Sequence, residues 1–406
     1  MKTTAIICEY NPFHNGHAYH IQKTKEETGA QYIIALMSGN FVQRGAPAIM
    51  EKQLRTQMAL NCGADLVIEL PLWSACASAP YFAAGSIALL NGLGIVDSLS
   101  FGSECDDIQQ LKDVAAFLYE HRQELSDRAA RYASAGHSYS KAKALAFKDL
   151  APDSNWLPIL ETPNNLLALE YLISLQETKS KIRPYCIARK ESSHHETSLP
   201  SDSQLASASA IRNTIESFSE LKEIFPMVPK PVFSILEQHF ERDFPVTCDD
   251  FSLLLKQKLI LDPSLTDYWD ISHDFQFSIQ KNLTFCSSFT ELLAKCKSKN
   301  ITWSRISRNL MHILLEMRKE QQEIFKAFDY RPYFQILGFR KDASELIREI
   351  QKHSVIPMVR HCRSLKDPLS PCQEQLLAAE RRANLLYHLI LGEKFHIDWK
   401  DRQIIV

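Results

Sequence analysis

The first half of the chain alternates short apolar runs with amphipathic stretches. Strand-length apolar runs lie at 4–8, 32–37, 65–70 and 98–101. Patterns with the helical period of 3.6 residues lie between them, at 15–27, 52–61 and 81–91. A further strand at 181–188 and a helix beginning near Ser207 follow. Repetition of strand, helix and strand predicts a parallel sheet with right-handed crossovers. We therefore expect residues 1–215 to form an α/β, Rossmann-like domain.

The second half is patterned differently. Of the twelve glycines only Gly338 and Gly392 lie beyond residue 136, so the tight turns that glycine favours are concentrated in the first half. A short apolar run at 333–337 fits either a strand or a helix end. We expect residues 216–406 to form a mainly α-helical domain, because helical patterns occur at 231–240, 248–261, 287–297, 302–328 and 371–391.

Composition and charge narrow the class of protein. The 406 residues are 45% apolar and 23% charged, which is ordinary for a globular protein. A net charge of −2 excludes a strongly basic protein, so a nucleic-acid partner would need a local basic surface.

The ten cysteines form no Cys-x-x-Cys pair, and we interpret them as reduced thiols. We find neither a signal-peptide pattern nor a run of about 18 apolar residues, and we expect a cytoplasmic protein without a membrane segment.

The segment from Glu9 to His17 closes the first strand and opens the first helix. In parallel sheets, ligands bind outside the carboxyl ends of the strands. Backbone N–H groups at a helix start favour phosphate there. His14 and His17, three residues apart, can both donate to a phosphate, and Gly16 allows close approach of the backbone. The sequence therefore predicts a phosphate-binding site at this turn.

Two other interpretations of these histidines remain open. His14, His17 and His20 have a spacing compatible with a metal site, but no carboxylate or cysteine completes a convincing ligand shell. The turn could also contain histidines without a function. Its position directly after the first strand favours a ligand site.

Several motifs, taken together, resemble a known family. His14-Asn15-Gly16-His17 resembles the His-x-Gly-His signature of the nucleotidyltransferase superfamily. A longer series resembles the bacterial tRNA(Met) cytidine acetate ligase family, densely in the first half and more thinly after residue 215. Its segments occur in the order EYNPFHNGHAYH (9–20), MSGNFVQRGAPAIMEK (37–52), GADLVIELP (63–71), FGSE (101–104), PNNLLALEYL (163–172) and SASAIR (207–212).

This resemblance implies an ATP-dependent ligase with a nucleotidyltransferase fold in its first domain. Such enzymes activate acetate as acetyl-adenylate and then acetylate N4 of the wobble cytidine of elongator tRNA(Met). Acetate is already a nucleophile, so the first step needs alignment and charge stabilisation rather than a general base. His14 and His17 would be catalytic, assisted by Mg²⁺ carried mainly by the triphosphate. No covalent enzyme intermediate is needed, and Cys8 is interpreted as a buried strand thiol.

The resemblance also assigns the ATP site residue by residue. Gly102 would give the adenosine access to backbone, Asn164 or Asn165 would hydrogen-bond the nucleotide, and Arg189 would reach it, unless Arg189 and Lys190 form a surface basic pair. Ser207 and Ser209 resemble the second phosphate-binding signature, and N-capping is compatible with that role. The remaining ATP contacts would come from Ile7, Cys8, Glu9, Tyr10, Asn11, Pro12, Phe13, His14, Asn15, Gly16, His17, Ala18, Tyr19 and His20.

Two further binding regions are expected. The turn of Ser38, Gly39 and Asn40 follows the second strand, and we place acetate or the target base there. A loop without a binding role is an equally open interpretation. Arg44 and Lys52 could meet phosphate or tRNA, or could be solvated surface charges.

The segment from residue 297 to residue 352 is locally basic. It contains twelve Lys/Arg and seven Asp/Glu, an excess of five positive charges. We expect tRNA contacts, or else merely the basic face of an amphipathic helix, at Lys297, Lys299, Trp303, Arg305 and Arg308.

The sequence also leaves other functions open. An adenylyltransferase acting on a small metabolite would share the signature, but would not need a long helical second half. A class I aminoacyl-tRNA synthetase carries a Lys-rich second signature, which this chain replaces with Ser-Ala-Ser-Ala-Ile-Arg (207–212). A non-catalytic RNA-binding protein would not need the intact His14, Gly16 and His17. Acetate, ATP and elongator tRNA(Met) are the expected partners, and nothing in the sequence indicates a protein partner.

Overall fold

The fold is described from a computed structural model of the chain. The structure describes residues 1–152, 154–189, 205–217, 221–299, 301–359, 368–397 and 402–406. Among these residues, no helix is both long enough and apolar enough to cross a membrane.

Strands and helices alternate in the first half, and helices dominate the second. The strands are β1 Thr3–Cys8, β2 Tyr32–Ser38, β3 Phe41–Val42, β4 Ala46–Pro47, β5 Leu66–Leu70, β6 Ser98–Ser103, β7 Arg183–Ala188, β8 Phe334–Phe339, β9 Met358–Val359 and β10 Ile404–Ile405. The helices are α1 Asn15–Thr28, α2 Lys52–Asn61, α3 Leu72–Ala75, α4 Ala79–Leu93, α5 Ile108–Glu120, α6 Arg122–Ser134, α7 Tyr139–Leu150, α8 Pro163–Glu177, α9 Ala208–Glu216, α10 Lys230–His239, α11 Ser252–Leu261, α12 His273–Asn282, α13 Phe289–Lys295, α14 Trp303–Leu314, α15 Lys319–Ala327, α16 Ser344–His353 and α17 Pro371–Phe395.

The main sheet has the strand order β10-β8-β5-β2-β1-β6-β7, and β9 pairs with β8. β1 lies at the centre of the parallel region and pairs with β2 and β6, while β5 and β7 extend this region on either side. The five strands predicted from apolar runs are all present, and the predicted α/β fold is confirmed. Because β1, β6 and β7 are parallel neighbours, their carboxyl ends open at the same edge of the sheet.

The second half also contributes to this sheet. The short run at 333–337, which fitted either a strand or a helix end, forms β8, and β8 pairs antiparallel with β5. β9 and β10 then pair in parallel with β8. The sheet therefore crosses the expected division at residue 215, which stays a prediction.

Apolar side chains cover both faces of the sheet. On one face, α4 and α8 pack their leucines and aromatic residues onto β2, β5 and β6. On the other face, α2, α9 and α10 pack on β1 and β2. A third core lies among the helices of the second half, around Trp269, Met311 and Tyr387, and it includes Phe41 of β3. The hairpin of β3 and β4 thus joins the helical core to the sheet.

The predicted helix at 302–328 is divided into α14 and α15. Thr302 caps the start of α14, as its position suggests, by accepting the N–H of Arg305. The helix ends at Leu314 because Glu316 adopts a left-handed conformation (φ 55°) and the Met317 N–H turns back to the His312 carbonyl. Met311 and Met317, on either side of the break, can then both be buried.

Candidate active site

The carboxyl ends of β1, β6 and β7 open into a cavity of about 690 Å³. Four segments surround it: the turn from β1 to α1, the end of β6, the start of α8, and the end of β7 together with the start of α9. The turn between β3 and β4 contributes Gln43 and Arg44 to the wall. Convergence at the switch between parallel strands is the arrangement typical of nucleotide sites in α/β folds.

The turn from β1 to α1 is capped by its own histidines. His14 is the N-cap of α1, and its Nδ1 accepts the N–H of Gly16 at 3.1 Å. Its backbone N–H donates to Nδ1 of His17 at 3.2 Å, and the two rings stack with centroids 3.7 Å apart. Since each Nδ1 is an acceptor, each neutral ring carries its proton on Nε2. A Cβ on Gly16 would lie 2.9 Å from Cε1 of His14, so the stacked arrangement requires glycine.

Burial favours the neutral form of His17 and His20. Desolvation lowers the pKa of His17 well below its ordinary value, and the nearby His14 and Arg189 lower it further. Desolvation, with a contribution from Arg189, lowers the pKa of His20 to about 4. His20 Nε2 lies 3.0 Å from the hydroxyl of Ser100 on β6. His17 and His20 therefore offer neutral imidazoles rather than cations to the cavity.

One end of the cavity is shaped by Gly102 and Arg189. The Arg189 side chain crosses Gly102, where an added Cβ would lie 3.4 Å from its Cγ, and the Arg189 N–H donates to the Ser103 carbonyl. Asn164 lines the cavity and donates to Glu104. This end offers a small backbone surface beneath a planar cation, which suits a nucleoside.

Another part of the wall, at the start of α9, brings two arginines to a helix N-terminus. Ser207 caps the helix by accepting the Ala210 N–H at 3.0 Å. The Ser209 hydroxyl accepts from Arg44 at 3.0 Å and from Arg212 at 3.1 Å, and Arg212 also donates to the Asn11 carbonyl at 2.7 Å. Among the described residues, neither arginine forms an ion pair with a carboxylate. Two cations and a helix N-terminus together form a site for a polyanion.

Comparison with known proteins agrees with this geometry. The model of the HIGH Nucleotidyl Transferase family matches residues 1–401. A protein of Thermoanaerobacter sp. (strain X514) named tRNA(Met) cytidine acetate ligase is 42% identical over 371 residues, which cover 91% of each chain. A relative of the same name from Caldicellulosiruptor saccharolyticus is 36% identical, over 100% of this chain and 99% of its own. The chain belongs to the tRNA(Met) cytidine acetate ligase family.

Solved structures extend the comparison to the whole fold. The apo structure (form I) of Thermotoga maritima TmcAL superposes with a TM-score of 0.90 at 28% identity and covers 100% of both chains. The structure of the same protein bound with alpha-thio ATP has a TM-score of 0.88 at 28% identity, and covers 100% of this chain and 99% of that one. The fold described above is therefore that of this ligase family.

Most of the residues assigned to ATP by resemblance line one cavity, and five do not. Phe13 is fully buried and packs against Tyr10 and His17. Asn165 is buried, and its side-chain oxygen accepts from the Ser103 hydroxyl and the N–H groups of Glu104 and Cys105. Asn165 thus shapes the loop after β6 rather than facing the cavity. Pro12, Asn15 and Ala18 are the other three residues that do not line the cavity. The assigned residues that do line it are Ile7, Cys8, Glu9, Tyr10, Asn11, His14, Gly16, His17, Tyr19, His20, Gly102, Asn164, Arg189, Ser207 and Ser209.

The turn of Ser38, Gly39 and Asn40 does not reach this cavity. The carbonyls of Ser38 and Gly39 accept from the guanidinium of Arg55, and Asn40 hydrogen-bonds Asn384 of α17. Ser38 and Asn40 are buried. Lys52 is not a surface charge, because it is fully buried and pairs with Glu69 at 2.9 Å.

The residues expected to contact tRNA lie just before α14 or in its first half. Trp303 is 54% exposed, and Lys299 is exposed beside it in sequence. Lys297 is half-buried. Arg305 is held by Asp270 at 2.7 Å, whereas Arg308 reaches inward and donates to the Gln43 carbonyl at 3.3 Å. Lys190, considered as a partner of Arg189, lies outside the described residues.

Sequence reasoning missed several residues of the cavity. Arg212 is the last residue of the segment SASAIR (207–212). It could have been predicted, because a guanidinium one helical turn after Ser209 can bind the same ligand as Ser209. Gln43 lies in the segment 37–52, near the glycine of a tight hairpin, whereas phosphate or tRNA was already an expected ligand of its neighbour Arg44. Phe82 and Tyr171 carried no signal, because their helical periodicity only indicates burial.

Proposed function

We propose that the chain is an ATP-dependent ligase that activates acetate as acetyl-adenylate and transfers the acetyl group to N4 of the wobble cytidine of elongator tRNA(Met). The observation that carries the proposal is the pairing of the stacked His14 and His17 with the Ser209, Arg44 and Arg212 cluster in one cavity. The curated relatives bear the ligase name over nearly the whole chain, and the alpha-thio ATP complex of the Thermotoga maritima protein supports ATP as the nucleotide.

The first step would be carried by positioning and charge. The adenosine would occupy the end formed by Gly102, Asn164 and Arg189, and the terminal phosphates the end at α9. In this placement the α-phosphate would lie beside the histidine turn. The Nε2–H groups of His14 and His17 would donate to oxygens that gain charge as acetate attacks. The fixed cations would hold pyrophosphate as it leaves, and no covalent bond to the protein is needed.

Mg²⁺ would be carried by the triphosphate. Within the described parts of the chain, no cluster of three or more His, Cys, Asp or Glu side chains could hold a metal ion. The residues present thus do not fit a protein cage for the ion. A triphosphate supplies oxygen ligands of its own, which is how Mg²⁺ is commonly bound beside nucleotides.

The RNA would be held by the second half of the chain. Exposed Lys299 and Trp303 at the start of α14 combine a cation for phosphate with an aromatic ring for base stacking. Arg308 would act nearer the cavity, since it contacts the turn that carries Gln43 and Arg44. A tRNA substrate places the reaction in the cytoplasm.

Acetate-dependent exchange of pyrophosphate into ATP, measured without tRNA, tests the first step. Wild-type protein should catalyse exchange, and His17→Ala should reduce its rate by roughly 100-fold or more, as expected for loss of a donor at the reacting phosphate. His273→Ala removes an exposed imidazole on α12 and should leave the rate unchanged. Exchange followed by acetylation of elongator tRNA(Met), seen by nucleoside mass spectrometry, would complete the proposal. Absence of acetate-dependent exchange would contradict it and favour adenylyl transfer to another acceptor.

A further inference from the structure

Glu9 is the single carboxylate among the described residues that line the cavity. It directly follows β1 and precedes the histidine turn. Its Oε1 accepts the N–H of Gln43 at 3.0 Å, and its backbone carbonyl accepts from Arg55 at 2.6 Å. The residue is therefore fixed at both its main chain and one carboxylate oxygen. The other oxygen has no hydrogen-bond partner among the described residues.

Five other titratable groups of this wall are poorly suited to accept a proton. Burial raises the pKa values of Tyr10 and Tyr171 well above their ordinary value, so both remain neutral phenols. Burial likewise raises the pKa of the Cys8 thiol, which stays protonated. His17 Nδ1 is occupied by the His14 N–H, and His20 lies against Ser100. Glu9 is left as the carboxylate with acceptor capacity.

The second step of the proposed reaction releases a proton that must be taken up. The exocyclic N4 of cytidine attacks the carbonyl carbon of the acetyl-adenylate, a C–N bond forms, the bond from the carbonyl carbon to the phosphate oxygen breaks, and AMP leaves. The nitrogen loses one of its two protons in becoming an amide. We propose that the Glu9 carboxylate binds the N4 amino group of the target cytidine and accepts this proton.

The same contact would select the base. A carboxylate accepts from the N4 amino group of cytosine, as acidic side chains do when they read cytosine in nucleic acids. Uracil presents an O4 acceptor at that place, which would face the carboxylate without a proton between them. Arg55 and Arg212 interact electrostatically with Glu9, so a negative charge is balanced there beside the anionic adenylate. This inference rests on the proposed function. It assigns Glu9 to the part of the same cavity that would receive the cytidine.

Glu9→Gln separates the two steps. The amide oxygen can still accept the Gln43 N–H, but the side chain cannot take up a proton. We expect single-turnover transfer from preformed acetyl-adenylate to elongator tRNA(Met) to slow by roughly 10²–10⁴-fold, the usual range for a general base, and to slow far more than acetate-dependent pyrophosphate exchange does. The dissociation constant for tRNA should change far less than the transfer rate. Glu9→Asp, which retains the carboxylate, should recover part of the transfer rate.

Glu27→Gln, an exposed change on α1, is the matched control and should alter neither step. Unchanged transfer in Glu9→Gln would overturn the inference. Equal loss of exchange and transfer, with an unchanged unfolding midpoint, would also overturn it, because Glu9 would then serve adenylation. A wild-type protein without acetate-dependent exchange would instead refute the proposed function, so the two failures are distinguishable.

Discussion

At the scale of single residues, the charged side chains that position the site are buried. Arg55 is fully buried, and its guanidinium donates to the carbonyls of Glu9, Ser38, Gly39 and Met50. It thereby ties the ends of β1 and β2 to the start of α2. An arginine can do this because its planar fork offers five donors.

Arg55→Leu should destabilise the protein strongly. The substitution keeps apolar bulk but leaves several buried carbonyls without a donor, and we expect the free energy of unfolding to fall by on the order of 3 kcal/mol. Urea unfolding measures this change. Arg122→Leu breaks the exposed pair with Glu177 and should cost about 0.5 kcal/mol or less. Equal losses in the two variants would contradict the role assigned to Arg55.

The sequence identified the histidine turn but not its buried supports. His14, Gly16 and His17 stand out because their residue types are rare together and follow a strand. Arg55 and Lys52 lie in a helix whose bounds were predicted correctly, yet a helical pattern assigns charged residues to the solvent face by default. Their burial depends on α17, whose Tyr387 donates to the Ala48 carbonyl and whose Asn384 contacts Asn40. Contacts between segments so far apart leave no local signal.

At the scale of elements, the hairpin of β3 and β4 couples the cavity to α14. Its turn supplies Gln43 and Arg44 to the wall, and the Ser307 hydroxyl donates to the Gly45 carbonyl at 2.6 Å. Gly45 has φ 76°, and a Cβ there would lie 2.2 Å from the backbone nitrogen of Arg308. Only glycine allows α14 to approach the hairpin this closely.

Gly45→Ala and Gly136→Ala form a matched pair that isolates this close approach. Both glycines have positive φ, so alanine costs roughly 1–2 kcal/mol of backbone strain at either position. Nothing lies within 4 Å of a Cβ on Gly136, whereas on Gly45 the Cβ meets backbone. We expect Gly45→Ala to lower the free energy of unfolding by about 2 kcal/mol more than Gly136→Ala does. Similar denaturation curves for the two variants would show that α14 is not tightly docked.

Element prediction succeeded where periodicity is local and failed where packing decides. The strands β1, β2 and β5 follow from apolar runs, and α2 has the bounds that the pattern predicts. The break between α14 and α15 was missed, because Glu316 and Met317 continue the helical pattern and only the return of the chain to His312 ends it. Likewise, β8 could not be distinguished from a helix end, because a short apolar run has no period of its own.

At the scale of the whole molecule, the two halves share one sheet, and α14 of the second half contacts the hairpin that supplies Gln43 and Arg44 to the cavity. β5 pairs with β2 on one side and with β8 on the other, so an edge of the sheet is completed by the second half. The change from glycine-rich to helical composition near residue 215 is a property of the sequence, and it does not by itself separate two folding units. Under the proposed function, a helical half built onto the sheet in this way would present RNA to the cavity from a fixed direction.

The last prediction concerns that RNA surface. Trp303→Ala removes an exposed ring, and loss of one stacked base is worth about 1–3 kcal/mol, so the dissociation constant for elongator tRNA(Met) should rise by roughly tenfold. Lys299→Glu should weaken binding and reduce the slope of log affinity against log salt by about 1. Filter binding over a salt series measures both, and Lys112→Glu on α5 is the exposed control. Pyrophosphate exchange without tRNA should be unaffected in all three variants. If Lys299→Glu and Trp303→Ala bind tRNA as Lys112→Glu does, the RNA surface lies elsewhere, and the basic excess near α14 is only a solvated helix face.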